Sequence, residues 1–223
     1  MNRLIIAIDG PSGAGKGTVA RTIAARLGYQ HLDTGAMYRA VAWKARHDGR
    51  PLDDDAIVSE IARTAAIAVD GPTVSIDGHD VTSAIRTPDV DQAASIVARL
   101  PHVREALVAR FREIGAAGGI VMEGRDIGTV VFPDADVKLY LDASVEERAR
   151  RRATDAARGA SQTGEASIAG VATALEARDR SDRTRAVAPL TLAPGAVFID
   201  TTHLGVDEVV SRVMALVEGK LRG

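Results

Sequence analysis

Hydrophobic residues along the chain fall into short continuous runs that alternate with longer stretches of helical spacing. The continuous runs are typical of buried parallel strands, which we place at residues 4–8, 120–123, 137–141 and 196–199, with a weaker candidate at residues 29–32. The helical stretches predict helices at residues 18–27, 36–46, 101–115 and 206–217, and a Ser-Val-Glu-Glu capping box at residues 144–147 opens one more. This alternation predicts an α/β fold with a doubly wound parallel sheet.

Residues 67–81 do not fit the alternation of strands and helices. Their short β-like runs are broken at Asp70-Gly71-Pro72 and at Asp77-Gly78, which are turn signals, so we expect a small antiparallel β unit. The unit lies between residue 39 and the strand at residue 120, an interval far longer than one βα unit needs. We expect an inserted substrate-binding subdomain in this interval, with a purely structural insert as the alternative.

A second irregular segment covers residues 154–167. Its small polar residues and glycines show no apolar periodicity, which predicts a mobile loop between two helices. Arg152 precedes this loop and Arg158 lies within it. A mobile segment that carries positive charge can close over a reactive phosphate and keep water out, so residues 154–167 are the candidate lid.

The motif GPSGAGKGT lies directly after the first predicted strand and opens the first predicted helix. The spacing of Gly10, Gly15 and Lys16 is that of a phosphate-binding loop, whereas a turn that binds nothing needs neither the lysine nor the spacing. Backbone N–H groups of such a loop surround phosphate oxygens, and the lysine reaches the β and γ phosphates. We therefore expect a nucleoside triphosphate to be held by Gly10, Pro11, Ser12, Gly13, Ala14, Gly15, Lys16, Gly17 and Thr18.

One position of the loop departs from the common pattern. A Ser or Thr usually follows the lysine and ligates Mg²⁺, but Gly17 stands there in this chain. We expect the metal to be held mostly by nucleotide phosphates and water, as suits Mg²⁺, and we assign no protein side chain as a metal ligand. The five histidines lie far apart and form no metal-binding spacing.

The composition limits the classes of function. The 223 residues suffice for one α/β domain with an insertion, and a net charge of −2 argues against broad binding to nucleic acid or to an anionic membrane. No apolar run approaches the length of a transmembrane helix, and the first residues do not resemble a signal peptide. The chain has no cysteine, which excludes disulfides and thiolate metal sites. We expect a cytoplasmic protein.

Polar side chains follow two of the predicted strands. Thr34 and Arg39 could hold an anionic substrate, although a helix cap and a surface arginine would explain them equally well. Arg125 and Asp126 follow Gly124, which permits a tight turn that projects them over the sheet edge; an exposed ion pair is the alternative. Arginine dominates the basic residues after position 144, and guanidinium groups match phosphate oxygens. One helix face shares Arg178, Asp182 and Arg185.

Several of these motifs together are more specific than the phosphate loop alone: GPSGAGKGT, LDTGAMYR, EGRDIGTVVFPDA, DASVEERARRR and RDRSDRTRAVAPL. With them, the chain resembles the bacterial cytidylate (CMP/dCMP) kinases, which are nucleoside monophosphate kinases with a P-loop; the similarity runs from about residue 5 to residue 189. The resemblance implies one domain over residues 1–223, with a core at 1–34, 99–150 and 168–223. It further implies an inserted α+β monophosphate-binding subdomain at about 35–98 and a short lid at about 151–167.

The resemblance also implies the reaction and its residues. ATP would phosphorylate CMP or dCMP with the help of Mg²⁺, in a monomer. The family's CMP-contacting positions correspond to Thr34, Tyr38, Arg39, Ser95, Arg104, Arg125, Asp126, Arg178, Asp182 and Arg185. Within that set, the base-recognising positions correspond to Ser95, Arg104 and Asp126, and those gripping the monophosphate to Arg39 and Arg125. The catalytic charge would come from Lys16, Arg125, Arg148, Arg152 and Arg185, of which Arg148 and Arg152 flank the lid.

A phosphate monoester acceptor is largely dianionic near neutral pH and needs no general base, which fits the lack of an evident His or Cys nucleophile. Another P-loop kinase remains the main alternative, acting on a different monophosphate or on a metabolite hydroxyl with Asp33 as the base. A GTP-binding switch is excluded because its base-reading Asn-Lys-x-Asp motif needs an asparagine, and Asn2 is the only one. The low charge and small size disfavour a nucleic-acid motor. The expected partners are therefore ATP and CMP or dCMP, without nucleic acid or membrane.

Overall fold

The computed structural model describes residues 3–159 and 168–222. Strands in this part of the chain are β1 (Ile5–Asp9), β2 (Gln30–Asp33), β3 (Ile67–Asp70), β4 (Thr73–Ile76), β5 (His79–Asp80), β6 (Ile120–Gly124), β7 (Val137–Asp142) and β8 (Val197–Asp200). Five of them form one sheet in the order β2-β6-β1-β7-β8, and all its pairs are parallel. The predicted parallel sheet is confirmed, and each strand begins within one residue of its predicted start.

Helices cover most of the remaining described residues. They are α1 (Lys16–Leu27), α2 (Thr34–His47), α3 (Asp55–Thr64), α4 (Pro88–Val97), α5 (Pro101–Gly115), α6 (Val145–Gly159), α7 (Ile168–Thr184) and α8 (Val206–Arg222). Gly28 ends α1 in the left-handed conformation, with φ of 64°, as expected of a glycine that follows a helix. The predicted helices are thus present, and α8 extends five residues beyond its predicted end at residue 217.

Two apolar clusters pack on the two faces of the parallel sheet. Ile6 and Ile8 of β1 contribute to one cluster, whereas Ala7 contributes to the other, because successive side chains of a strand point to opposite faces. The first cluster packs against α1 and α8, and the second includes Phe111 of α5. All three β1 side chains and Phe111 are nearly inaccessible to water. This double cover explains why the strands appear in the sequence as continuous hydrophobic runs.

The predicted β unit at residues 67–81 is confirmed as the antiparallel sheet β3-β4-β5. It packs against α2 through a small apolar cluster of its own, which includes Val74, Ile76 and Ala40. Helices α3 and α4, on either side of this sheet in the chain, are absent from the prediction. Asp54 and Thr87 cap their first turns by accepting from the amides of Ile57 and Val90.

The candidate lid differs from its prediction as a loop over residues 154–167. Helix α6 continues to Gly159, so the first six of those residues are helical, and α7 begins directly after the segment, at Ile168. Residues 160–167 lie outside the described residues. The sequence signal failed over the last turns of α6 because that stretch carries no apolar periodicity of its own.

The carboxyl ends of the parallel strands lie at one edge of the sheet, and the polar motifs follow them. β1 ends at Asp9 beside Gly124 of β6 on one side and Tyr140 of β7 on the other. Gly10 then turns into the phosphate loop with φ of 143°, and a Cβ there would stand 1.9 Å from the main-chain oxygen of Leu141. Only glycine fits this close approach, which brings the loop directly over the sheet edge.

Candidate active site

The phosphate loop joins β1 to α1, and its lysine is turned back onto the loop. Lys16 Nζ donates to the main-chain oxygen of Pro11 at 2.7 Å, and its side chain is buried. Burial lowers the pKa of Lys16 to about 7, and the nearby positive charge of Arg125 lowers it further. The Lys16 amino group, which was expected to bind the ATP phosphates, is therefore hydrogen-bonded to the main-chain oxygen of Pro11.

Arg148 of α6 supports this loop from the protein side. Its guanidinium donates to the main-chain oxygens of Ala143 and Ser12, at 3.0 and 3.1 Å, and pairs with Asp179 of α7 at 2.7 Å. Each guanidinium nitrogen thus has a protein partner, and the side chain is only 3% exposed. Arg148 was expected to supply catalytic charge beside the lid; in the structure its hydrogen bonds and ion pair hold the loop in place.

Three predicted substrate residues form a buried group at the start of α5 and after β6. Asp126 pairs with Arg104 through one carboxylate oxygen and with Arg185 through the other, at 3.5 Å. The guanidinium of Arg104 lies 5.7 Å from the centre of the Tyr38 ring. Burial raises the pKa of Tyr38 to about 12, so its hydroxyl stays protonated and can donate a hydrogen bond. The structure thus brings together residues far apart in the sequence.

Three further arginines each pair with a carboxylate. The pairs are Arg39 with Asp33 at 2.8 Å, Arg125 with Asp182 at 2.9 Å, and Arg178 with Asp91 at 3.4 Å. Burial lowers the pKa of Arg178, and the charges of Arg125 and Arg39 lower it further, so the three guanidinium groups lie close enough to repel. An anion placed among them would relieve this repulsion.

Several buried polar side-chain atoms near the site have no hydrogen-bond partner. Within the described residues, six buried side-chain atoms make no hydrogen bond, and three belong to predicted substrate residues: Tyr38 Oη, Arg39 Nε and Arg178 Nε. An unsatisfied buried donor costs about 1–3 kcal/mol, so native proteins rarely keep one without a function. These three donors are available to a bound molecule.

Hydrogen bonds or ion pairs within the protein engage three more of the predicted residues: Thr34, Ser95 and Arg152. Thr34 Oγ1 donates to the main-chain oxygen of Glu123 at 2.7 Å, and Ser95 Oγ donates to that of Asp91, in its own helix, at 3.0 Å. Arg152 pairs with the Asp91 carboxylate. Ser95 was expected beside Arg104 and Asp126, but its hydroxyl instead serves the backbone of α4.

Three carboxylates around the site were not predicted from the sequence: the buried Asp9 and Asp179 and the half-buried Asp91. Asp9 ends an otherwise apolar strand, and that abrupt polar residue before Gly10 was an available signal. Asp179 lies three residues before Asp182, a spacing that places both on one face of α7. Asp91 had no such signal because α4 itself was not predicted.

The described residues contain no group of three or more His, Cys, Asp or Glu side chains arranged to hold a metal ion. Glu123, the last residue but one of β6, is paired with His31 at 3.1 Å, and Asp33 with Arg39 at 2.8 Å. Such a site fits a metal that keeps most of its water and binds chiefly through substrate phosphates, as Mg²⁺ does.

Among the helices that the structure describes, none has the length and apolar character that a membrane span requires.

Comparison with known proteins assigns the family. The sequence model described as cytidylate kinase matches residues 6–219. A cytidylate kinase of Solibacter usitatus is 47% identical over 219 residues, covering 98% of this chain and 94% of the relative. One of Limosilactobacillus fermentum is 48% identical over 220 residues, covering 97% and 96%. A solved shikimate kinase of Bacteroides thetaiotaomicron superimposes with a TM-score of 0.51 over 96% of this chain and 98% of that protein; at 12% identity it shows a shared fold only. The chain belongs to the cytidylate kinase family.

Proposed function

We infer that this protein transfers the γ-phosphoryl group of ATP to CMP or dCMP, giving ADP and CDP or dCDP. The observation that carries this inference is the set of three buried, unpartnered donors on Tyr38, Arg39 and Arg178 beside a phosphate loop. Those donors suit an anionic acceptor, and the loop suits a triphosphate donor. Family membership and the relatives' shared name support the cytosine nucleotide as the acceptor.

The arrangement favours a phosphate acceptor over a hydroxyl acceptor. A hydroxyl would need a general base, and Asp33 was the sequence candidate. Asp33 accepts from the amide of Ala36 and pairs with Arg39, and these partners outweigh its burial and hold its pKa below the usual value. A carboxylate so stabilised is a weak base, whereas a phosphate dianion already carries its own nucleophilic oxygen.

The chemical work of the site is to hold two polyanions within reach of each other. Lys16 and Arg125 lie close together and would neutralise charge that develops on the transferred group. ATP phosphates would draw Lys16 away from Pro11 and restore its proton. Mg²⁺, held by phosphates and water, would offset further negative charge on ATP. Arg39 and Arg178 would exchange their carboxylate partners for the acceptor phosphate.

Base selection is assigned to the buried group around Asp126. Cytosine presents an amino donor where uracil presents a carbonyl acceptor, so a carboxylate near that position favours cytosine. Arg104 and Arg185 hold both oxygens of Asp126 and fix its orientation. Ser95 and Thr34 would join only after their present hydrogen bonds change. The insert at about 35–98 would bind the monophosphate, and the lid at about 151–167, with Arg152, would cover the transfer site.

A coupled assay of ADP release tests this function. Purified protein is mixed with ATP and Mg²⁺ and then with CMP, dCMP, UMP or AMP. The expected result is rapid ADP release with CMP or dCMP and much slower release with the other two. Preference for UMP or AMP, or ADP release with none of the four, would support the alternative P-loop kinase. The inference would be overturned if the protein bound neither ATP nor a cytosine nucleotide.

A further inference from the structure

A buried carboxylate joins the two halves of the site. Asp9 is the last residue of β1 and directly precedes Gly10 of the phosphate loop. It is 2% exposed, and its two oxygens accept from the main-chain amides of Ile127 and Gly128, both at 2.8 Å. These amides lie more than a hundred residues away in the sequence and belong to the segment that follows Arg125 and Asp126.

The segment held by Asp9 is a single turn of π-helix, Ile127–Val131. Its bonds skip one residue more than an α-helix does, from the amide of Val131 to the oxygen of Asp126 and from Phe132 to Ile127, at 3.2 and 2.7 Å. Such turns are rare and occur mostly at functional sites. The first N–H groups of a helix have no acceptor within it. Asp9 supplies the acceptors for two of them, those of Ile127 and Gly128.

We propose that Asp9 is a positioning residue for phosphoryl transfer, which fixes the Ile127–Val131 turn so that Arg125 and Asp126 face the acceptor nucleotide. This proposal rests on the proposed function. Asp9 is not a catalytic residue, since both its oxygens serve main-chain amides. Because the same residue anchors the start of the phosphate loop, it sets the distance between the ATP half and the acceptor half of the site.

Protonation of Asp9 would weaken this link. Burial raises the pKa of Asp9 to about 6. The charge of Asp126 also raises this pKa, whereas the two amides and the charge of Lys16 lower it. On the neighbouring strands, the residues beside Asp9 are Gly124 and Tyr140. A protonated carboxyl group carries an O–H donor on one oxygen, and that donor would face an N–H donor of the turn. We therefore expect the turn to loosen as the pH falls through about 6.

The variant Asp9→Asn tests the proposal because its amide resembles the protonated acid. We expect kcat to fall about 10-fold or more at pH 8, with a larger rise in KM for CMP than for ATP. The CMP phosphate titrates near pH 6 in both proteins, so its contribution cancels in the ratio of wild-type to variant kcat/KM. The ratio of wild-type to variant kcat/KM should fall toward one by about pH 5.

Asp136→Asn is the matched control. Asp136 is exposed and also accepts one main-chain amide of β1, that of Ile5 at 2.8 Å, but at the end of the strand remote from the site. Its loss should leave kcat, both KM values and the pH profile unchanged. A ratio for Asp9→Asn that is constant with pH, or a variant as active as the wild type at pH 8, would overturn the proposal.

A measurement on the wild type alone covers the case in which Asp9→Asn does not fold. The amide signals of Ile127 and Gly128, followed by nitrogen-15 NMR between pH 5 and 8, should shift together with a midpoint near 6. The amide of Ile5 serves as the internal control and should not share that midpoint. Absence of a common transition would refute the proposal. Because this readout needs no turnover, it stands apart from any failure of the proposed function.

Discussion

Arg148 and Asp179 form an ion pair beneath the phosphate loop, with 2.7 Å between Nη2 and Oδ2 and less than a tenth of either side chain exposed. Arg148 comes from α6 and Asp179 from α7, and the same guanidinium holds the main-chain oxygen of Ser12. The two helices that flank the candidate lid are therefore tied to the backbone of the loop. Movement of either helix would therefore displace the loop that is expected to bind the ATP phosphates.

The pair predicts a large effect on stability when one partner is lost. Asp179→Ala leaves the buried guanidinium of Arg148 uncompensated, and breaking such a pair costs about 3–5 kcal/mol. Urea unfolding followed by circular dichroism measures the free energy of unfolding. Arg150→Ala is the control because Arg150 forms only an exposed pair with Glu147, so its loss should change little. Equal effects of the two variants would contradict the assigned role of the buried pair.

Arg125 is expected to contribute to the rate rather than to the fold. Arg125→Ala removes one preorganised positive charge beside Lys16, and kcat should fall by at least about 10²-fold. Lys16→Ala should do the same. The thermal unfolding midpoint is measured beside kcat, because Arg125→Ala also removes the partner of Asp182 at 2.9 Å. Arg180→Ala, on the exposed face of α7, is the matched control and should retain full activity. Near-normal turnover of either site variant would remove that residue from the mechanism.

The pKa of Lys16 predicts that ATP binding takes up a proton. With a pKa of about 7 in the free protein, most Lys16 side chains are neutral at pH 8, and bound phosphates favour the charged form. Binding at pH 8 should therefore take up close to one proton through Lys16, and binding at pH 6 almost none, since the group is already charged there.

Calorimetry in Tris and in HEPES measures this uptake, because the two buffers differ in ionisation enthalpy. Lys16→Arg is the reference: its guanidinium is always charged, so it reports proton exchange from ATP and every other group. The quantity of interest is the difference between wild type and variant. A difference near zero at both pH values would show that Lys16 is charged before ATP arrives.

The sequence predicted the scaffold of the site better than its internal bonds. The central strands β1, β6 and β7 were found because they are buried on both faces and so are continuously apolar, as Ile6, Ala7 and Ile8 are. Family motifs placed Arg104 and Asp126 together at the base and Arg185 elsewhere among the CMP-contacting positions, and the structure brings the three together. Helix α4 was missed, and with it Asp91, which pairs with Arg152 and Arg178.

Long-range pairings carry no signal in a single sequence. Nothing local shows that Asp9 accepts from amides near residue 127, or that Arg148 reaches Ser12, since both contacts depend on how the strands and helices pack. The catalytic role expected of Arg148 beside the lid came from the family resemblance, which carries no information on these contacts. Side-chain charge identifies candidates for phosphate binding, but only packing decides which of them are free to bind.

Asp126 predicts the discrimination between CMP and UMP. In Asp126→Asn the side chain can present its amide nitrogen as well as an oxygen, so the preference for the cytosine amino group should weaken. One well-placed base contact is worth about 1–3 kcal/mol, which corresponds to a fall of roughly 5- to 150-fold in the ratio of kcat/KM for CMP to that for UMP. Steady-state assays with each nucleotide at saturating ATP measure the ratio.

The same substitution also removes the negative charge between Arg104 and Arg185, so turnover of both nucleotides should fall together with their ratio. Using the ratio separates base selection from this general loss. Asp134→Asn, an exposed carboxylate in the same segment, controls for the change in net charge and should leave the ratio unaltered. If turnover of CMP and UMP fell by the same factor in Asp126→Asn, Asp126 would serve only to hold the two arginines, and the cytosine amino group would be read elsewhere.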